Sequence, residues 1–344
     1  MRRWSPPLIF LTACVLCLVG CCCGVVLGNM PISIEHMVGI VAEALSFDVE
    51  RTWRPWEATV LLDVRLPRVL VAALVGGSLA LCGAALQGLF KNPLADSSVL
   101  GVSAGASLGA VLALYLGLAA QTVWALPLLA FVGAALTAFA VYAIASRRGH
   151  TPVGTLLLSG VALGGFNAAM TSFVLSIALA NYDIGRQIIG WLMGGLDGRT
   201  WDHVKLALPA MLLGTVVILT HARDLDALLL GETHAGAVGV NIVRVRRSII
   251  LCTSLLTGAA VAVSGAIGFV GLVVPHVLRL VIGPGHRWLL PTSIVTGAAF
   301  LVLTDMAART LIRPEEIRLG VLTSAIGAPF FIFLLLKSRK EGVL

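Results

Sequence analysis

The sequence predicts an all-α polytopic membrane protein of about ten transmembrane helices, arranged in two halves of inverted topology. Three observations lead there. Of the 344 residues, 58% are hydrophobic and 12% charged, against about 25% charged in ordinary soluble domains. The apolar residues gather into runs of about 20, which at about 1.5 Å per residue cross a hydrocarbon core of about 30 Å. Within these runs Gly, Ala and Ser recur every fourth residue, a spacing that lets helix backbones approach closely in a bilayer.

The stretch from Arg65 to Gly109 organises the chain. Arg65 and Arg68 head an apolar run from Leu66 to Phe90, and Lys91-Asn92-Pro93 ends it. Gly76, Ala80, Ala84 and Gly88 form a small-residue stripe along that run, and Gly101, Gly105 and Gly109 repeat it in the next. An echo follows downstream. Ala80-Leu81-Cys82-Gly83-Ala84 and Ala262-Val263-Ser264-Gly265-Ala266 precede Pro93 and Pro275 by the same interval. Counted from the N-terminus the two copies cross in opposite directions, as in inverted-repeat transporter folds.

Taken in order, a basic end (Met1 to Pro7) leads into a first span, Leu8 to Leu27. Leu18-Val19-Gly20-Cys21 resembles a lipoprotein cleavage box, but no soluble domain follows it, so the span reads as retained. A polar, external and partly helical stretch runs from Asn29 to Asp63. After the Arg65 span come Leu100 to Ala119, Val123 to Ala145 and Pro152 to Leu179. The polar, glycine-rich segment Asn181 to Lys205 carries Trp191 and Trp201 and reads as an interfacial helix and loop, since tryptophan favours the membrane surface. The sixth span is Leu206 to Thr220, and the seventh is Ser248 to Ala266. An eighth follows Pro275, a ninth runs from Leu289 to Ala307, and a tenth from Leu319 to Leu336. The whole reads as one transmembrane domain over 1–344, with halves at about 8–180 and 201–337.

Charge sets the expected orientation. With both ends inside, fourteen basic residues (Arg2, Arg3, Lys91, Arg147, Arg148, Arg223, Arg244, Arg246, Arg247, Arg279, Arg287, Lys337, Arg339, Lys340) face five acidic ones (Asp96, Asp224, Asp226, Glu232, Glu341) on the cytoplasmic side. That is +9 inside and −2 outside, in agreement with the positive-inside rule. The expectation is an inner-membrane protein with both termini cytoplasmic. The net charge of +7 sits in short loops and forms no nucleic-acid patch. All seven cysteines lie in apolar segments, where they pack as small hydrophobes and point to neither disulfides nor a metal site.

The internal stretch 221–247 is too long for a tight turn. Asp224 to Leu230 and Thr233 to Val238 read as short helices stopped by Gly231 and Gly239, a knob suited to docking a soluble partner.

At this point RLPRVL, LQGLFKNPLADSSVLGVSAGA, LLLGETHAGAVGV, GFVGLVVPHVLRL and IGAPFFIFLLLK together resemble the permeases of bacterial type II ABC importers for iron-siderophores, haem and vitamin B12, the FecCD-like family. The resemblance covers Val60 to Lys337. It implies a second permease subunit, most simply a homodimer, two cytoplasmic ATP-binding subunits, and a periplasmic or extracellular substrate-binding protein. It also implies that Leu230, Gly231, Glu232, Ala235, Gly239 and Val240 couple to the ATPase, and that Arg65, Arg68 and Arg309 receive acidic side chains of the binding protein. Arginine forks suit carboxylates, and their place outside runs against the charge bias. Asn92 and Leu94 match the family's cytoplasmic gate. Val153 holds its second part, although relatives can carry Ser or Thr where this chain has Pro152, Val153 and Gly154.

The expected function is ATP-driven import of an iron chelate, haem favoured or a ferric siderophore. The alternatives are vitamin B12 import on the same fold and an ion-coupled secondary transporter. No Walker sequence occurs, so ATP belongs to another subunit, and no HExxH-type constellation supports an enzyme. No cofactor, catalytic residue or metal ligand is expected. Asn167, His276 and Asp305 are polar groups in apolar segments and need partners. Arg309, one turn on, is the expected partner of Asp305, and His276 beside Pro275 reads as packing or capping rather than as a ligand.

Overall fold

The computed structural model describes residues 5–28, 30–146, 152–312 and 315–340. Arg2, Arg3, Arg147, Arg148 and Glu341 of the charge tally lie outside the described residues, as do the side chains of Lys337, Arg339 and Lys340. The chain runs α1 (Pro6–Val26), α2 (Ile34–Ala44), α3 (Pro55–Thr59), a π turn (Val60–Arg65), α4 (Leu66–Phe90) and a 3-10 turn (Ser97–Leu100). It continues through α5 (Val102–Tyr115), α6 (Leu118–Gln121), α7 (Ala125–Ala145), α8 (Val153–Ala178), α9 (Tyr182–Leu192) and α10 (Trp201–Thr220). The last third holds α11 (Ala222–Leu229), α12 (Glu232–Ala237), α13 (Ile242–Ser264), α14 (Val270–Ile282), α15 (His286–Thr310) and α16 (Leu319–Lys340). No strand occurs among the described residues.

Seven of these helices are long and apolar enough to cross a bilayer, and three shorter apolar stretches, Val102–Tyr115, Val270–Ile282 and Leu319–Phe333, accompany them. Several boundaries differ from the sequence expectation. α10 starts at Trp201, because a capping box closes there, with the Thr200 backbone N–H donating to His203 Nδ1 at 3.3 Å and the Thr200 side chain facing the His203 backbone N–H. α13 starts at Ile242, because Asn241 Oδ1 accepts from Arg244 N–H at 3.0 Å, so its basic first turns are helix rather than loop. Pro275 lies inside α14 and does not head it.

α4 is the hub, almost wholly buried among α1, α10, α13, α14 and α15. Its glycines are the reason, two of them in the small-residue stripe and the third, Gly83, beside it. A methyl group on Gly76 would overlap the Gly297 carbonyl of α15, one on Gly83 the Gly271 carbonyl of α14, and one on Gly88 the His286 ring. Three glycines of one helix thus admit three separate close approaches. Pro275 frees the carbonyl four residues back, that of Gly271, and Gln87 Nε2 of α4 donates to it at 3.3 Å. Arg279 donates to Gln87 Oε1 at 2.8 Å and fixes that amide. The proline break and the glutamine are therefore one feature.

The downstream echo carries different local structure. α4 continues past Gly83 to Phe90, whereas Gly265, at φ +69°, caps the end of α13. Asn167 finds its partner across helices, donating to Thr137 Oγ1 at 2.9 Å. The outer faces of α1 and α8 expose Leu11, Leu18, Leu158 and Phe173, apolar surface suited to lipid or to another membrane helix.

Candidate functional site

At the end of the bundle where α4 begins, the three sequence-selected arginines come together but are not free. Arg65 is buried; its NH1 donates to the carbonyls of Val25 and Val26 at 3.1 and 2.9 Å, and its NH2 to that of Met30. Arg309 is also buried, held by Asp305 at 3.0 Å and by the Gly24 carbonyl at 3.1 Å. The expected Asp305–Arg309 pair therefore forms, and Asp305 is shared with Arg68, whose NH2 lies 2.9 Å from it. Arg68 NH2 also meets Glu316 Oε2 at 2.8 Å, and that carboxylate is one-third exposed. These forks tie α1, α4 and α15 into one mouth. Arg65, at the end of the π turn, reaches α1 and the segment after it, while Arg68 reaches α15 and the segment beyond it.

At the opposite end of α4 stands the knob. Gly231 (φ +121°) and Gly239 (φ +88°) occupy backbone conformations that L side chains rarely adopt, and they stop α11 and α12. Ala235 is fully buried beneath them, Val240 is half-buried, and Leu230 and Val238 are exposed by more than 70%. The loop therefore presents an exposed apolar tip on a polar surround. Glu232 pairs with Arg246 at 2.8 Å and closes the knob onto α13. Asp226 of α11 accepts from the backbone N–H of His286 at 2.7 Å and lies 2.9 Å from its Nδ1. Burial raises the Asp226 carboxyl, but these hydrogen bonds outweigh it and hold it below the usual carboxylate range.

Of the residues expected at the gate, Asn92 makes an Asx turn, its Oδ1 accepting from Leu94 N–H at 2.9 Å after left-handed Lys91. Leu94 lines a mainly apolar cavity of about 850 Å³ with Leu79, Asp96, Phe269 and Phe331. Val153, at the start of α8, is not on its wall. His276 lies within α14 one residue after Pro275, and no group of three or more His, Cys, Asp or Glu among the described residues could hold a metal ion.

Sequence reasoning missed the Asp226–His286 tie, because no local pattern links residues 60 apart. It also missed a second, polar cavity. Trp191 is buried against protein, and Trp201 donates its indole N–H to the Leu62 carbonyl at 3.0 Å. Around Trp191 a cavity of about 560 Å³ is lined by Arg186, Asp197, Arg199, Ser264 and Arg318. The Gly-Arg run at 198–199 in a glycine-rich loop was its one visible signal.

Comparison with known proteins accords with this geometry. Residues 16–337 match the FecCD transport family. The chain is 47% identical over 297 residues to the cobalamin import system permease protein BtuC of Halobacterium salinarum, covering 86% of this chain and 77% of that one. It is 42% identical to the Fe(3+) dicitrate transport system permease protein FecD of Escherichia coli (81% and 86% covered) and 40% identical to the hemin transport system permease protein HmuU of Yersinia pestis (84% and 85%). Among solved structures it superposes with a TM-score of 0.84 and 30% identity on a chain of a metal-chelate type ABC transporter in an inward-facing conformation, covering 96% of this chain and 99% of that one. With seven bilayer-length helices among the described residues, the glycine-striped hub one of them, and a sequence match over most of its length, the chain belongs to the FecCD transport family, the permeases of type II ABC importers.

Proposed function

We propose that this chain is the translocation subunit for an iron chelate, haem first or a ferric siderophore, which crosses chemically unchanged. It works with a second copy of itself, two ATP-binding subunits under the knobs and an external binding protein. The observation that carries this reading is the knob: an exposed apolar tip (Leu230, Val238) on two rigid helices, tied by Asp226 and His286 to α15 and α4. A push on such a tip moves the hub helix rather than a loose loop. Leu230, Gly231, Glu232, Ala235, Gly239 and Val240 are the coupling residues, and Asn92 and Leu94 the inner gate. Arg68 is the landing point for the binding protein: an incoming carboxylate replaces the one-third-exposed Glu316, while Arg65 and Arg309 keep the mouth in shape. In this reading the knob and both termini face the cytosol.

Cobalamin is the second reading, favoured by the 47% identity to a permease named for cobalamin import. The deciding experiment is uptake of haem, ferric citrate and cobalamin into proteoliposomes holding the permease, its ATPase subunits and its binding protein. Uptake of an iron chelate only with ATP is expected. Uptake of cobalamin alone overturns the cargo assignment, and ion-driven uptake without ATP overturns the importer.

A further inference from the structure

The wall of the cavity around Trp191 carries three guanidinium groups, Arg186, Arg199 and Arg318, against two carboxylates, Asp183 and Asp197, and two of its buried donors lack acceptors. Trp191 is 8% exposed and its indole N–H has no hydrogen-bond partner. Arg199 is recessed beside it; its Nε is buried and unpartnered, and its NH1 lies 3.3 Å from His203 Nε2. Arg186, at the rim, forms no hydrogen bond or ion pair with the described residues. Asp197, whose two oxygens both lie 3.0 Å from Arg318 NH1, attracts the Arg199 guanidinium through space but accepts no hydrogen bond from Arg199 Nε or the Trp191 indole. That pairing, against the cost of burial, keeps the Asp197 carboxyl below its usual range. Burial likewise pulls the Arg199 guanidinium below its ordinary value.

Buried donors without acceptors are rare in folded proteins, since each forfeits its hydration without a replacement hydrogen bond. The wall is nevertheless rigid. Gly195 N–H donates to the Ser264 carbonyl at 2.8 Å and Leu319 N–H to the Gly194 carbonyl at 3.1 Å, so the loop is stitched to α13 and α16. Two guanidinium groups and an indole N–H offer donors only, and the partner they select is an oxyanion, a planar carboxylate best of all. A volume of about 560 Å³ suits part of a small molecule. Beyond Trp191, the neighbouring residues Leu192 and Met193 line the larger apolar cavity, so a ligand held here lies at the head of the apolar route.

We propose that this cavity is an outer subsite that takes a carboxylate of the cargo, held by Arg199 and the Trp191 indole N–H, and that it selects anionic, carboxylate-bearing chelates. The proposal rests on the importer reading for its biological meaning. Its physical content, oxyanion binding, does not depend on transport.

The test is equilibrium binding of radiolabelled citrate to the permease–ATPase assembly in nanodiscs. Saturable binding is expected. It weakens about tenfold in Arg199→Gln, the scale of one charge-assisted hydrogen bond, and severalfold in Trp191→Phe. Arg199→Lys restores most of it, which separates charge from folding. Citrate triamide, uncharged and of similar shape, does not compete. Wild-type affinity in both Arg199→Gln and Trp191→Phe, equal competition by the triamide, or no saturable citrate binding overturns the subsite. Protection of a Gln187→Cys thiol, on the same wall with Arg199 intact, by cargo-free binding protein but not by citrate overturns it in favour of a protein carboxylate. Chelate uptake is measured on the same preparations: absent uptake with intact citrate binding removes the importer reading and leaves the subsite, whereas the reverse outcome removes the subsite alone.

Discussion

His286 Nδ1 and Asp226 Oδ1 lie 2.9 Å apart, joining the first short helix of the knob to the N-terminus of α15. On its other side the His286 ring fills the notch left by Gly88 of α4. One imidazole thus touches the coupling element and the hub helix.

Removing that tie should uncouple the machine. In Asp226→Ala the expected result is ATP hydrolysis near the wild-type rate with uptake reduced at least about tenfold, measured on the same proteoliposomes. The pH dependence has a definite sign. The Asp226 carboxyl is held below its ordinary value of about 4, so its contribution is complete above that value and is lost as pH falls through the lower folded value. Thermal melting of the assembly between pH 6 and 3 should show an acid loss that Asp226→Asn lacks.

The shared carboxylate of Asp305 should be costly to remove. Asp305→Asn leaves two recessed guanidinium groups, those of Arg68 and Arg309, short of a counter-charge, a change worth about 3–5 kcal/mol. The more exposed Asp197–Arg318 pair should cost at most about 1 kcal/mol when Arg318 is replaced by Gln. Melting temperatures of the two variants side by side decide the order.

Arg68 and Glu316 give a prediction in which loss of a contact improves binding. Glu316→Gln frees an arginine fork and should tighten binding-protein docking severalfold, while Arg68→Glu should weaken it more than about tenfold. Association with the ATPase subunits should be unchanged in both, which surface plasmon resonance on either partner can read.

Close helix approach at Gly83 leaves no room for a side chain. Gly83→Ala drives a methyl group into the Gly271 carbonyl and should cost at least about 1–3 kcal/mol, seen as loss of monodisperse protein in detergent. Gly154→Ala, at a site with nothing within 4 Å, should behave as wild type.

At the knob, Leu230→Asp places a charge on the exposed apolar tip and should abolish co-purification of the ATPase subunits. The fold should be unaffected, because Ala235, Leu225 and Leu228 beneath the tip remain in place.

What the sequence determined by itself was local. Leu66 and Phe90 bound α4 in the structure as they do in the apolar run, because a hydrocarbon-length stretch of apolar residues is legible from order alone. Gly231 and Gly239 were legible as stops, because a positive φ is a property of one residue. The pairing of Asp305 with Arg309 could be read because they sit one helical turn apart. Tertiary structure decided everything that depends on partners distant in the chain. Arg68 meets Asp305 across 237 residues, Gln87 satisfies the carbonyl that Pro275 strands 184 residues away, and Trp191 is covered by protein to form a cavity wall. Periodicity shows which face of a helix is small or apolar. It does not show which other helix covers that face, and the partner of each buried charge follows from that choice.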